Sequence, residues 1–251
     1  MTWLTDAHIH LSDSEYSTDL DHILVAMSKM KIKACCVSMD NDSSKSTLEL
    51  SQRSPLVLPF IGIHPEKADD DLDAITELII QNSDKISGIG EIGLDKTYVS
   101  NEAGFSRQLS VFQKMLSLAE KFEKPISIHS RRTLDEIFSL LPSYSLRGTL
   151  LHWFSGSKKQ LQKAMELGCF VSYGPAMIYS DDKKVLLSQT DSNKILLETD
   201  GPVKFSRCFG LKTAQITFLP SVLFCAAGVL NKTYDEMLLI IEKNFNSYLG
   251  V

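Results

Sequence analysis

The sequence lacks any long apolar run. None approaches the ~18–20 residues that a membrane-spanning helix needs, which argues against a membrane protein. Its opening, Met1-Thr2-Trp3-Leu4-Thr5-Asp6, has neither a basic n-region nor an apolar h-region, so no signal peptide is expected. Cysteine is scarce, and the five present (Cys35, Cys36, Cys169, Cys208, Cys225) form no C-x-x-C pair. Zinc-ligand spacing is thereby excluded, and apolar neighbours mark them as reduced core or loop thiols. A soluble, cytoplasmic protein is the expectation. Positive charge is not in excess either. The net charge of −5 argues against a broad basic surface clinging to nucleic acid. A nucleic-acid substrate held locally by metal ions and a few arginines stays open. No coiled-coil heptad appears, so a monomer is expected. No linker, repeat or low-complexity stretch divides residues 1–251, which read as one domain. The Ser/Asp-rich patches at 40–46 and 180–182 read as loops inside it.

What is present is an alternation. Short apolar runs near residues 4–10, 34–39, 57–63, 86–92, 126–129, 149–153, 169–173 and 195–200 read as strands. Helical periodicity lies between them. Phe105, Leu109, Phe112, Leu116 and Ala119 recur at the steps of one helix face. Ser157/Gln160, Thr133/Glu136 and Thr233/Glu236 have capping-box spacing at helix starts. Strands separated by helices pair in parallel, since hairpins need far shorter links. Eight such units in a chain of this length predict an α/β fold of the (β/α)₈ TIM-barrel class, with an open doubly wound sheet as the alternative.

Five of the six histidines (His8, His10, His64, His129, His152) fall at or beside the C-terminal end of a predicted strand, where barrels of this class carry their active sites. Asp6, His8 and His10 are spaced by two and so share one strand face. Glu91 lies in the apolar, glycine-rich run Ile86-Ser-Gly-Ile-Gly-Glu-Ile-Gly-Leu94, where an unpartnered carboxylate would cost several kcal/mol. His129 closes Pro125-Ile-Ser-Ile-His129, His152 closes Thr149-Leu-Leu-His152, and Asp200 ends the eighth strand with Glu198 two residues before it. Each residue alone also reads as a hydrogen-bonded core polar group. Together, imidazoles and carboxylates meeting at one mouth point to a metal site suited to Zn²⁺, Mn²⁺ or Fe²⁺ and compatible with Mg²⁺.

Asp6-Ala-His8-Ile-His10-Leu11, Gly62-Ile-His64-Pro65, Gly90-Glu-Ile-Gly-Leu-Asp95, Pro125-Ile-Ser-Ile-His129-Ser-Arg131, His152-Trp-Phe154-Ser-Gly156 and Glu198-Thr-Asp200-Gly-Pro202 occur in this order. The set resembles the TatD-like hydrolases over about four-fifths of the chain. That resemblance implies a metal-dependent hydrolase of the amidohydrolase group with deoxyribonuclease activity. It implies His8, His10, Glu91 and Asp200 as ligands of one metal, and Glu91, His129 and His152 as ligands of a second. His64 and Arg131 would then face the substrate phosphate. Two departures bear on substrate: Lys96 follows Asp95 where members often carry an aromatic residue, and after Glu-Thr-Asp, where many members carry Arg and then Asn-Glu-Pro, Pro202-Val-Lys204-Phe-Ser-Arg207 leads to Gly210-Leu-Lys-Thr without Asn-Glu-Pro.

The expected chemistry is attack by a metal-activated water on a phosphodiester of DNA. One or two divalent ions (Mg²⁺, Mn²⁺ or Zn²⁺) would serve as cofactor and Asp200 as general base. A hydrolase of a small amide, lactone or ester is the rival, because the same centre attacks carbonyls. Cationic Lys96, Arg131, Lys204 and Arg207 around the mouth would favour phosphate. A non-catalytic metal-binding or interaction module is a third reading, opposed by the intact ligand set. Trp153 and Phe154, beside His152, are candidates to stack a base, with core packing the alternative for either.

Overall fold

The computed structural model describes residues 2–251; Met1, the first residue of the expected domain, lies outside them. The described residues contain eight strands, each overlapping one of the eight predicted runs. They are β1 (Leu4–Ile9), β2 (Ile32–Val37), β3 (Val57–Ile61), β4 (Gly88–Asp95), β5 (Ile126–Arg131), β6 (Thr149–Leu151), β7 (Phe170–Tyr173) and β8 (Ile195–Leu197). They form one sheet in sequence order, parallel at every pair from β1–β2 to β7–β8. Helices fill the connections, as a chain of parallel pairs requires. Past β8 the backbone turns onto β1: Asp200 N–H donates to His8 O at 3.0 Å and His10 N–H to Gly201 O at 2.8 Å. The sheet thus curls into a nearly closed (β/α)₈ barrel, and the open doubly wound alternative is excluded.

The strands read as near-continuous apolar runs because both faces are buried. One face packs under the helices: Ala34, Cys36, Leu151, Ile195 and Leu197 join the main core there. The alternate positions Cys35, Val37, Phe60, Leu150, Phe170 and Leu196 form a second cluster with Phe245 and Tyr248 of the last helix, Tyr234–Leu249. This second set is the filling of the barrel, and it lies beneath the functional residues.

Some local expectations are corrected. The patch at 40–46 is not a loop but the start of the helix Asn41–Arg53. Asp40 Oδ1 accepts Ser43 N–H at 2.8 Å, and Ser43 Oγ accepts Asp40 N–H at 3.0 Å. The patch at 180–182 likewise opens the helix Asp181–Gln189, capped by Ser180. Short polar side chains satisfy the free N–H groups of a first turn as readily as they make loops. Ser157/Gln160 and Thr233/Glu236 form the predicted capping boxes. Thr133/Glu136 does not, because Thr133 Oγ1 donates to Leu94 O at 2.8 Å and Glu136 is drawn to Lys96. The predicted helix on the Phe105 face runs Glu102–Lys121. Among the described residues no single helix is long and apolar enough to cross a membrane.

Candidate metal centre

Polar residues stand two positions beyond the apolar filling on the same strand faces. His152 follows Leu150, Ser172 follows Phe170, and Glu198 then Asp200 follow Leu196. On β5 the same face carries Ser127, His129 and Arg131. The alternation that builds the core thus also lifts these groups to its upper rim.

Glu91 lies at the centre, 3% exposed. Its Oε2 is 3.2 Å from His10 Nε2 and 3.4 Å from His8 Nε2. The two histidine Nε2 atoms are 3.3 Å apart, and Asp200 Oδ1 is 3.7 and 3.9 Å from them. Glu91 Oε1 faces the other way, 2.9 Å from both His129 Nδ1 and His152 Nε2 and 3.5 Å from His64 Nε2. Tetrahedral ligands ~2.0–2.1 Å from a zinc ion lie ~3.3–3.4 Å apart, and the His8, His10 and Glu91 atoms have about that spacing. His8, His10 and Glu91, and His64, Glu91 and His129, each offer three ligand atoms to a common point, all mutually within 4.8 Å.

The remote nitrogen of each ring decides what its near nitrogen can do. His8 Nδ1 lies 2.9 Å from Ser127 Oγ, a hydroxyl able to accept its hydrogen, which leaves a lone pair on Nε2. His129 Nε2 lies 2.8 Å from Asp95 Oδ2 and donates to it, which leaves Nδ1 as the nitrogen turned to Glu91. His152 Nδ1 has no hydrogen-bond partner, and Glu198 Oε2 is 3.8 Å away. His64 is the opposite case. Its Nδ1 accepts Glu66 N–H at 3.2 Å, so the hydrogen of the neutral ring sits on Nε2. Although it stands among ligand atoms, His64 presents a donor and not a lone pair.

Burial pushes His8 well below its usual pKa, His64 down to about 4, and His152 down as well. The His8 and His152 rings stack in parallel at 3.7 Å, where two positive charges would repel. Burial also works against a charge on His129, but the bonds to Asp95 and Glu91 outweigh it and hold the ring up at about 9. Asp200 is pushed well above the carboxylate range by burial and by Glu198 and Glu91, and Glu198 up to about 8 chiefly by burial. A set of mostly neutral imidazoles around crowded, buried carboxylates is short of positive charge. A divalent cation would supply it, so the residues fit a metal.

All eight site residues expected from the sequence lie at this end of the barrel. His8, His10, Glu91, His129, His152 and Asp200 converge, and His64 stands beside Glu91. Arg131 is exposed and makes no ion pair among the described residues. Of the other rim cations, Lys96 pairs with Glu136 and Lys204 with Glu15, which leaves Arg207 with Arg131. Phe154 is fully buried and Trp153 half-buried. Sequence reasoning missed Ser127 and Asp95. The signal was faint but present: Ser127 precedes His129 by two, and Asp95 follows Glu91 by four on one strand.

The family described as TatD related DNase matches residues 5–250. The deoxyribonuclease TATDN3 of Homo sapiens is 30% identical over 213 residues, 79% of this chain and 78% of that protein. The 3'-5' ssDNA/RNA exonuclease TatD of Salmonella typhimurium is 28% identical over 212 residues, 80% of each chain. Among solved structures, a TatD homolog from Escherichia coli K12 superposes with a TM-score of 0.91 at 23% identity, covering 99% of this chain and 98% of that one.

Proposed function

This chain belongs to the TatD family of DNases, and from that membership we propose that it is a metal-dependent deoxyribonuclease cleaving phosphodiester bonds in DNA with an activated water. The observation that carries the proposal is the division of Glu91, with Oε2 turned to His8 and His10 and Oε1 to His129 and His152. A carboxylate so divided would help hold two cations, one at each oxygen.

In this reading His8, His10, Glu91 and Asp200 would hold one ion, and Glu91, His129 and His152 the other. Divalent metal bound there supplies Lewis acidity toward phosphoryl oxygens and lowers the pKa of water toward ~7. The chain's own residues do the rest. Asp200, held by its backbone N–H to His8 O and ionised where a cation offsets the neighbouring carboxylates, would take the proton of the attacking water at a carboxylate oxygen. His64 Nε2–H donates to a phosphate oxygen, and the planar fork of Arg131 binds another. The walls around Glu91 exclude bulk water and strengthen these charges. The site is complete within one chain, which supports a monomer acting as one domain over residues 1–251. Five free thiols support work in the reducing cytoplasm.

The test is cleavage of 3'-labelled single-stranded DNA by metal-stripped protein, with Mg²⁺, Mn²⁺ or Zn²⁺ restored separately. His129→Ala and Asp200→Asn run beside it, and a duplex, an RNA and a lactone panel complete the comparison. Metal-dependent DNA cleavage lost in both variants is expected. Lactone or ester turnover without any DNA cleavage would overturn the nuclease reading in favour of a carbonyl substrate.

A further inference from the structure

We propose that Trp153, supported from behind by Phe205, is the platform on which the nucleobase beside the scissile phosphate stacks. The proposal rests on the nuclease reading and names the side chain that would grip the substrate's base.

Trp153 is tied to the metal centre by more than sequence adjacency to His152. Its backbone N–H donates to Glu198 Oε1 at 2.8 Å and lies 3.2 Å from Ser172 Oγ. The other oxygen of Glu198 faces His152 Nδ1. One buried carboxylate therefore fixes the indole's anchor and flanks a ligand ring. At Trp153 the chain turns through a left-handed φ of 41°, a conformation that bulky side chains adopt rarely. The turn takes Trp153 off the path of the strand, and Phe154 returns at once to the core with no exposed surface.

The indole packs against Phe205 with ring centroids 5.3 Å apart and planes tilted by 38°. Phe205 is buried and belongs, with Ala176 and Ala214, to a small apolar cluster separate from the barrel's main core. Phe205 lies five residues after Asp200, so this cluster sits on the β8 side of the mouth. Trp153 stays half-buried above it. A tryptophan that packs against one aromatic ring and still keeps part of its surface exposed can receive a flat partner. Burial for stability alone would have covered it, as it covers Phe154. Ile128 and Leu151 are register partners on adjacent strands, so the strand ends that lead to Arg131 and to Trp153 are neighbours at the mouth. A nucleotide can then set its phosphate toward Arg131 and its base on the indole.

Trp153 and Trp3 are the only tryptophans, and Trp3 lies at the opposite end of β1, beneath Lys33. A Trp3→Phe background therefore makes Trp153 the sole fluorophore. In that background the Mn²⁺-loaded enzyme is titrated with a single-stranded phosphorothioate oligonucleotide, and with the same strand abasic beside the scissile bond. Cleavage of the corresponding phosphodiesters is followed in parallel for Trp153 and for Trp153→Leu and Trp153→Phe. Quenching by the base-bearing strand alone is expected. Leucine should raise KM for that strand roughly 5- to 150-fold, the equivalent of stacking worth ~1–3 kcal/mol, with phenylalanine recovering part of the loss. The abasic strand should be cut equally well by all three. Equal losses on both strands in Trp153→Leu, or binding without quenching, would assign Trp153 to packing and overturn the proposal. Failure of the unsubstituted enzyme to cut either strand would instead overturn the nuclease reading beneath it.

Discussion

Asp95 Oδ2 lies 2.8 Å from His129 Nε2, on the side of the ring away from Glu91. The carboxylate accepts the ring's Nε2–H and so fixes which nitrogen faces the centre. Its other oxygen is held at 2.6 Å by the backbone N–H and the hydroxyl of Thr97. Asp95→Asn keeps size and shape but weakens the acceptor, so His129 should lose orientation and basicity. The expected result is a loss of about 10- to 100-fold in metal affinity at the Glu91 Oε1 side, read by calorimetric metal titration. Unchanged affinity would mean that His129 is positioned by packing alone.

His64 makes the sharper test, because distance and chemistry point in different directions. Nε2 stands 3.5 Å from Glu91 Oε1, close enough to look like a ligand, yet the N–H of Glu66 occupies Nδ1. His64→Ala should therefore keep the full metal stoichiometry and lower kcat on the order of 10²–10³, the scale of losing one preorganised donor. His129→Ala should lower the stoichiometry itself. Metal analysis after gel filtration compares the two. A metal equivalent missing from His64→Ala would show that the ring binds through the other tautomer.

The barrel is legible in the sequence because its strands are buried on both faces and nearly all end on a polar group. Where the reading failed, a distant partner decided the outcome. Residues 86–92 suggest a strand that ends at its glycines, but β4 runs on to Asp95. Gly93 permits this: it sits at φ 148° opposite His129, where any Cβ would collide with the His129 carbonyl. Ending the strand early hid Asp95, whose significance appears only once β4 and β5 are paired. Ser127 was hidden likewise, since the ring it meets is 119 positions away. The residues gathered around Glu91 were easier to find, most of them being histidines at strand ends. Their partners are ordinary polar residues that any strand could carry.

The cysteines allow a check that needs no substrate. Cys35, Cys36 and Cys169 are buried, and burial pushes their thiols upward, to about 11 for Cys36 and about 12 for Cys169. Cys208 and Cys225 are partly accessible, with smaller upward shifts from the same cause. At pH 8 a chromogenic disulfide reagent should titrate two thiols in the native protein, and slowly, because thiolate is the reacting form. All five should react in denaturant. Fast reaction of a third thiol would mean that the barrel opens locally around Cys35, Cys36 or Cys169.

Lys183 ties the helix Asp181–Gln189 to the loop carrying Trp153. Its Nζ donates to the Phe154 carbonyl and lies 3.0 Å from Ser155 Oγ. Burial lowers its pKa to about 8 from the ordinary 10.5, with Glu198 pulling partly the other way. Between these two values the unfolded chain holds more of the proton than the folded one does. Stability contributed at this position therefore rises with pH across that window. Below pH 8 the ammonium is charged in both states and its burial opposes folding in full. Lys183→Met has no such dependence. Comparing the two proteins by urea denaturation, the difference should move toward the parent as pH goes from 7 to 10. Titrations elsewhere cancel in the comparison except that of Glu198, which Lys183 pulls down, so the pair is also compared in a Glu198→Gln background. A difference constant over that range would mean that the ammonium is as well solvated in the fold as outside it, and that the loop is held by the hydrogen bonds without any penalty from burial.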